Sequence, residues 1–217
     1  MKILKVAVAL GLATSLSACL SDDVVDDGID TAAALSLFER AALDNDVLVD
    51  VDTLPSSATM TGVIGAAITS DDFDLAFLGD MTVEADFENA AMTGTATNIG
   101  LYSLVGECES NADCEVTYQN ALDGELVMSN GVMINDGNEF TADLAGTLSG
   151  AYSDPDGIGT MVSDVTLSTD GAGGFFRDSE GLFAQAGLTG SADSDFTTDE
   201  GTQNIVSTLA GEMVVAE

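Results

Sequence analysis

The sequence predicts an all-β protein: a soluble antiparallel barrel of eight strands with a short N-terminal helix. From Ala58 onward, apolar and polar residues alternate with a period of two, which is typical of half-buried strands. Turn-forming pairs such as Asp136-Gly137 and Asp170-Gly171 separate the alternating segments. A unit of an apolar residue, Thr or Ala, and Gly also recurs, as in Met60-Thr61-Gly62 and Leu144-Ala145-Gly146. Its irregular spacing argues against a solenoid, which needs a fixed period, and inward glycines favour a tightly coiled, closed sheet.

Residues 1–18 are predicted to be a lipoprotein signal peptide. Lys2 and Lys5 supply positive charge, and the apolar stretch that follows is too short for an ordinary transmembrane helix. Leu16-Ser17-Ala18-Cys19 resembles the lipobox of bacterial lipoproteins at every position. The resemblance implies that Cys19 is lipidated, with acyl chains such as palmitate holding the protein on a membrane. The alternative is an ordinary secretory signal whose cleavage site precedes a cysteine.

The residue after Cys19 is Leu20, and not the Asp that commonly retains Gram-negative lipoproteins in the inner membrane. The resemblance therefore implies a lipid anchor in the outer membrane of a Gram-negative bacterium. It leaves open whether the domain faces the periplasm or the outside. Residues 19–30 are interpreted as an acidic tether, whose eleven residues after the cysteine would span roughly 18 Å as a flexible coil.

The segment 31–54 is predicted to hold a short helix and a linker. Thr31 is a candidate N-cap, and Ala32 to Leu43 are mostly strong helix formers. One face of this helix is apolar and carries Leu35, Phe38 and Ala42. Pro55 marks the break before the barrel domain, which is predicted over residues 55–217.

Eight strands are predicted, with a further short strand at Phe175-Phe176; they span residues 58–68, 74–87, 90–99, 125–134, 140–151, 160–168, 183–191 and 204–216. Gly79 interrupts one apolar row and indicates a bend or bulge. The residues expected inside the barrel are Leu75, Phe77, Met81, Val83, Phe87, Phe140, Leu144 and Leu148. The opposite face carries acids such as Asp80 and Glu84, which lipid would not tolerate, so a transmembrane barrel is not expected.

Charge and composition exclude several classes of function. The chain has 4 Lys and Arg, 38 Asp and Glu and no His, for a net charge of −34. It therefore lacks the basic face that nucleic acid requires and the imidazole of a Ser-His-Asp triad or a His metal ligand. After removal of residues 1–18 no lysine remains, which excludes Walker-type phosphate binding and Schiff-base catalysis. The acidic surface is either a solvating coat or a docking field for a basic partner, and composition leaves both open.

Cys108 and Cys114 remain once Cys19 is lipidated, and an even pair in an exported protein predicts a disulfide. It would staple the segment 100–124, which is expected to be the longest loop and a recognition element. Closing so short a loop stabilises by roughly 2 kcal/mol. Two alternatives are a staple that only protects the loop from proteolysis and a site built from two thiolates and nearby acids. One cysteine pair without histidine is a weak zinc signature, and no metal site is predicted.

The glycine-bearing strands also carry a family resemblance. The first reads Ala-Thr-Met-Thr-Gly-Val-Ile-Gly from residue 58, and the last reads Leu-Ala-Gly-Glu-Met-Val-Val-Ala-Glu from residue 209. Together with the lipobox and the short helix, these strands resemble the β-barrel domain of transferrin-binding protein B-like lipoproteins over roughly residues 55–217. Gly174-Phe175-Phe176 and Ala184-Gln185-Ala186-Gly187 are similar to a strand pair of that family, which usually has Gly where Arg177 stands. The resemblance implies a single-barrel member, and no ligand-contact motif carries over.

These features predict a lipid-anchored, non-catalytic cell-envelope protein that presents loops to a protein partner. Two alternatives stay open: a structural lipoprotein of an envelope coat, and a lipocalin-like barrel that holds a small ligand. No catalytic residue or cofactor is predicted, because an enzyme would have to work with carboxylates alone. A partner that docks on this surface is expected to be basic, and no nucleic-acid partner is expected.

Overall fold

A computed structural model describes residue 37 and residues 48–69, 74–105, 115–154 and 157–217 of the chain. Two 3-10 turns, Val51–Thr53 and Asn135–Gly137, accompany the strands. The strands are β1 (Ser57–Thr69), β2 (Asp74–Asp86), β3 (Ala91–Val105), β4 (Glu115–Gly124), β5 (Leu126–Ile134), β6 (Glu139–Asp154), β7 (Gly157–Thr169), β8 (Gly173–Arg177), β9 (Leu182–Thr198) and β10 (Gly201–Ala216).

Several sequence predictions concern residues outside this described part, and they stay predictions. They are the signal peptide 1–18, the lipidation of Cys19, the tether 19–30, and the disulfide of Cys108 and Cys114. Of the predicted helix Ala32–Leu43, only Leu37 is described, and its backbone is helical.

The antiparallel sheet closes into a ring of eight strand positions. β1 pairs with β2 and β10, β2 pairs with β3, and β9 pairs with β7 and β10. Two positions are each shared by two consecutive strands. β4 and β5 both lie between β3 and β6, and β7 and β8 both lie between β6 and β9. The prediction of an all-β, eight-stranded barrel with a short extra strand at Phe175-Phe176 is therefore confirmed.

The prediction that residues 100–124 form the longest loop is wrong, because most of this segment is strand. β3 runs on to Val105, and β4 begins at Glu115, directly opposite it. Sequence analysis did not predict β4, because Leu122 is its one side chain in the described core and the strand therefore has no row of alternating apolar residues. The connection between the strands shrinks to residues 106–114, which still hold both cysteines.

The inner face of the barrel is apolar, as predicted. Of the eight residues expected inside, Phe87 is partly buried at the rim and packs edge-on against Phe175, with ring centroids 5.0 Å apart. The others are at most 6% exposed: Leu75, Phe77, Met81, Val83, Phe140, Leu144 and Leu148. The outward positions Thr82 and Glu84 are exposed, which confirms the strand register.

Glycines permit the close approach of neighbouring strands. A Cβ on Gly146 would lie 1.9 Å from the backbone oxygen of Glu125 on the adjacent strand position, so no other residue fits without moving the backbone. Gly79 marks a bulge, since the register between β2 and β3 shifts between Leu78 and Asp80. A Cβ on Gly79 would lie 2.8 Å from Cγ1 of the buried Ile99. Both roles agree with those predicted from the sequence.

The two ends of the barrel differ. The strand ends that flank residues 70–73, 106–114, 155–156 and 199–200 all lie at one end, which we call the loop end. At the other end, the plugged end, the chain enters beside β8, where Val49 N donates to Phe175 O at 2.8 Å. Phe140 packs against Phe175 there, with ring centroids 5.2 Å apart. Aromatic packing therefore closes the plugged end.

Candidate functional site

Binding residues usually lie in the connections between strands, where a rigid scaffold holds them in place. The loop end is the end of the barrel where four such connections meet the paired strands. Val105 and Glu115 are register partners at the ends of β3 and β4. Residues 106–114, which include Cys108 and Cys114, therefore join two paired strand ends in the sequence. The two cysteines lie outside the described residues, so the structure positions their connection without showing a bond.

All three tyrosines of the chain lie near the loop end, on β3, β4 and β6: Tyr102, Tyr118 and Tyr152. The rings of Tyr102 and Tyr118 meet edge to face, with centroids 5.5 Å apart. Tyr152 meets Phe196 in the same way at 5.0 Å. Tyr102 and Tyr152 are only 3% and 9% exposed, so these rings pack within the barrel rather than form a contact surface. Their clustering was not predicted, because it arises from pairing between residues distant in sequence.

Two glycines make room for these rings. A Cβ on Gly100 would lie 3.2 Å from the rings of both Tyr102 and Tyr118. A Cβ on Gly159 would lie 2.6 Å from Cε1 of Tyr152. Burial, with a smaller contribution from Tyr118, raises the pKa of Tyr102 to about 12. Tyr102 therefore keeps its proton at any physiological pH.

A small polar cluster lies inside the barrel. Ser163 and Ser194 are register partners on β7 and β9, both are 1% exposed, and their Oγ atoms are 2.8 Å apart. Ser207 on β10 is 2% exposed, and its Oγ has no hydrogen-bond partner. The chain has no histidine that could act as a base for these hydroxyls. The cluster is thus a set of neutral groups in the core.

One side of the outer surface forms an acidic wall, defined by Asp143, Asp164, Asp193 and Asp195. Neutral donors on neighbouring strands bind these carboxylates. Ser168 donates to Asp143 at 2.7 Å, Thr147 to Asp164 at 2.6 Å, and Asn204 to Asp193 and Asp195 at 2.7 and 2.9 Å. Hydrogen bonds from Ser168 and Asn130 lower the pKa of Asp143. Asp143 therefore stays negatively charged at neutral pH.

One acidic side chain points outward from the barrel, and its carboxyl group is nevertheless buried. Glu212 on β10 is 7% exposed, and Nε2 of Gln185 donates a hydrogen bond to it. Burial raises the pKa of Glu212 to about 7, and the bond from Gln185 opposes this shift. Oε1 of Gln185 is buried without a partner, so a proton on Glu212 would supply a donor that this oxygen lacks. Sequence analysis did not single out Glu212, since it is one acid among 38.

Within the described ranges, no three His, Cys, Asp or Glu side chains are grouped so that they could hold a metal ion. The helical part of the described chain contains no span with the length and apolar content needed to cross a bilayer. The chain was also compared with protein-family models, with curated proteins and with solved structures, and none of the three comparisons found a match.

Proposed function

We propose that the protein is a lipid-anchored, non-catalytic binding protein of the bacterial cell envelope, similar to a single barrel of the transferrin-binding protein B-like lipoproteins. In this proposal the loop end is presented to a basic protein partner. The observation that carries the proposal is the convergence of four connections at one end of a closed barrel. The anchor at Cys19 and the acidic tether would hold this barrel near the outer membrane.

The filled interior supports binding on the outside of the barrel rather than within it. Phe77, Phe140 and Met81 are at most 1% exposed and belong to one continuous core cluster. Barrels of eight strands are commonly filled by their own side chains, and a lipocalin-like ligand would need a cavity among them. One pocket lined by described residues is a groove that opens to solvent between Thr97 on β3 and Asp123 on β4.

The acidic wall supports a basic partner. Its carboxylates accept hydrogen bonds from neutral groups, and these contacts leave their charge uncancelled. Arg177 is the one Lys or Arg of the sequence that falls within the described residues. A field of one sign attracts an oppositely charged protein over several ångströms and raises its association rate, more strongly at low salt.

The test is photo-cross-linking in intact cell envelopes. A photoreactive amino acid replaces Asp199, in the turn between β9 and β10 at the loop end. The matched control carries it at Asp136, an exposed acid in a turn at the plugged end. We expect a discrete protein adduct from position 199 that weakens as salt rises, and none from position 136. Equal adducts from both positions, or none from either, would contradict the proposal, and the second result would favour an envelope coat. A small molecule retained by the protein in native mass spectrometry would favour the lipocalin-like alternative.

A further inference from the structure

A second surface of the barrel is apolar, although its side chains point away from the core. We call it the apolar strip, and it crosses β9, β10, β1 and β2. Its members are at most 5% exposed, yet they do not belong to the core cluster inside the barrel: Phe183, Val214, Val63, Ala67, Ala76 and Leu78. Strand alternation explains this, because Val63 and Ala67 alternate with the inward Ile64, Ala66 and Ile68.

Other outward valines of the same barrel show what an uncovered position looks like. Val127, Val162 and Val206 are 45%, 49% and 68% exposed. Val63 is 4% exposed and Val214 is 0% exposed. Within the described ranges, the strands beside β1 and β10 are their neighbours in the ring, which lie in the same wall rather than over it. The strip must therefore be covered by another part of the chain.

We propose that residues 31–47 of this chain form the cover, and that the predicted helix Ala32–Leu43 lies across the apolar strip with its Leu35, Phe38 and Ala42 face against the barrel. Leu37 is the described residue of that segment, and it is helical and half-buried. A helix whose apolar face lies on a sheet is a standard two-layer arrangement.

The point where the chain joins the barrel supports this occupant. Leu48, the residue after the segment, forms a β-bridge with Phe176. Phe176 stacks on Phe183 at the end of the apolar strip, with ring centroids 5.3 Å apart and planes at 24°. These contacts hold Leu48, the residue that follows the segment, at the edge of the apolar strip.

Dimensions and charge agree with the same occupant. Twelve helical residues, Ala32–Leu43, are about 18 Å long. Three spacings between the four strands of the strip amount to about 14 Å, and the diagonal path of the strip is somewhat longer. Small residues at outward positions, such as Ala67 and Ala76, leave room for close approach. Residues 31–43 contain one Glu and one Arg, whereas residues 20–30 contain five Asp, so the neutral stretch is the one that suits an apolar surface.

The proposed cover also explains why Glu212 is buried. Glu212 lies between Gly65 and Gly187, next to Val214 along β10. It is nine-tenths buried although it points outward. A segment across the strip would exclude water from its carboxyl group, and the folded unit would then begin near residue 31 rather than at residue 55.

The test compares hydroxyl-radical labelling of two phenylalanines in the full chain, purified in mild detergent. Phe183 reports on the strip, and Phe140 reports on the core. The variant Phe38→Asp places a charge on the apolar face of the helix, and Ser36→Asp places the same charge off that face as a matched control. We expect severalfold more labelling of Phe183 in Phe38→Asp, unchanged labelling in Ser36→Asp, and unchanged labelling of Phe140 in both.

Phe183 labelling in Phe38→Asp that equals wild type would overturn the inference. So would wild-type protection of Phe183 that decreases on dilution, because a second copy of the chain would then be the cover. If Phe140 also becomes labelled in Phe38→Asp, the barrel has opened, and Phe38→Ala decides the question by the same two readouts.

Discussion

At the scale of single residues, acidic side chains of this protein accept hydrogen bonds from neutral side chains. Asn98 and Asn130 adopt positive φ angles of 51° and 52° next to register shifts, and each donates to an acid on the neighbouring strand. Asparagine tolerates this backbone region better than most residues, and its amide then satisfies a carboxylate. A chain with almost no cations thus holds its acids in place with amides and hydroxyls.

Glu212 is expected to make the folded state less stable as pH rises. Its pKa is about 7 in the folded state and about 4.5 when unfolded, so the folded state binds more protons between these values. Its contribution to stability is full below pH 4.5 and is lost as pH rises to 7. Glu212→Gln should therefore raise the free energy of unfolding at pH 8 by up to about 3 kcal/mol and leave it nearly unchanged at pH 4. Urea unfolding at both pH values measures this, and an equal effect at both would contradict it.

Cys19 is expected to carry the lipid. Cys19→Ala removes the thiol that receives the diacylglyceryl group, so the variant should remain an uncleaved precursor without acyl chains. Metabolic labelling with a palmitate analogue and the mass of the purified protein measure both effects. Cys108→Ala is the matched control and should be acylated like wild type. A Cys19→Ala protein that is processed and membrane-bound like wild type would rule out this anchor.

At the scale of strands and connections, the barrel combines regular alternation with local breaks. β4 and β5 form one position of the ring because Gly124, with φ of +117°, and Glu125 interrupt the strand between them. β8 continues the position of β7 after residues 170–172. Such breaks keep both partners paired while the strand changes direction.

The inward and outward positions of β6 provide a test of register. Leu144 is 1% exposed in the core, and its neighbour Ala145 is exposed on the outer wall. Leu144→Asp buries an unpaired charge and should unfold the domain. Ala145→Asp, the matched control, should lower the thermal midpoint by only a few degrees at most, since an exposed substitution typically changes stability within about 0.5 kcal/mol. Circular dichroism melts of both variants measure this, and similar losses in both would show that the register is wrong.

The connection 106–114 is expected to matter for binding more than for folding. A double variant, Cys108→Ser with Cys114→Ser, should keep the β3 and β4 pairing, because Tyr102 and Tyr118 pack together below the connection. It should weaken the loop-end adduct of the proposed function, because a stapled loop loses less entropy on binding. Reduced adduct yield is the expected result, with an unchanged circular dichroism spectrum at 25 °C and a thermal midpoint lowered by no more than the loss of roughly 2 kcal/mol implies. An unchanged yield and salt dependence would show that this connection is not the recognition element.

At the scale of the whole molecule, the alternation of apolar and polar residues predicted far more of the structure than single residues did. The rows of Asp74–Phe87 and Phe140–Ala151 predicted the fold and its inner face, because a period of two has one consistent burial solution. The same reasoning missed β4, whose described core contribution is Leu122. It also missed the apolar strip and the tyrosine cluster. Both arise where distant strands meet, and one sequence contains no pairing information of that kind.

Salt is expected to stabilise the protein. With a net charge of −34 and one cation, Arg177, among the described residues, repulsion between acids outweighs attraction between opposite charges. Screening should therefore raise the thermal midpoint between low salt and roughly 0.5 M NaCl, where the Debye length is a few ångströms. Differential scanning fluorimetry measures the shift, with equal osmolality of sucrose as the control. A midpoint that falls as salt rises would mean that attractive pairs dominate.

The pairing of β1 with β10 also sets the timing of folding. Thr61 pairs with Ala216, so the ring remains open until β10 has been synthesised and delivered. Until then β1 has one partner, β2, and an unpaired edge. Contacts so distant in sequence form slowly, because the loop-closure entropy is lost before the contact forms. An open chain can be threaded through a translocation pore, whereas a finished barrel cannot. In the export that we propose, the closing pair would therefore delay folding until the chain has crossed.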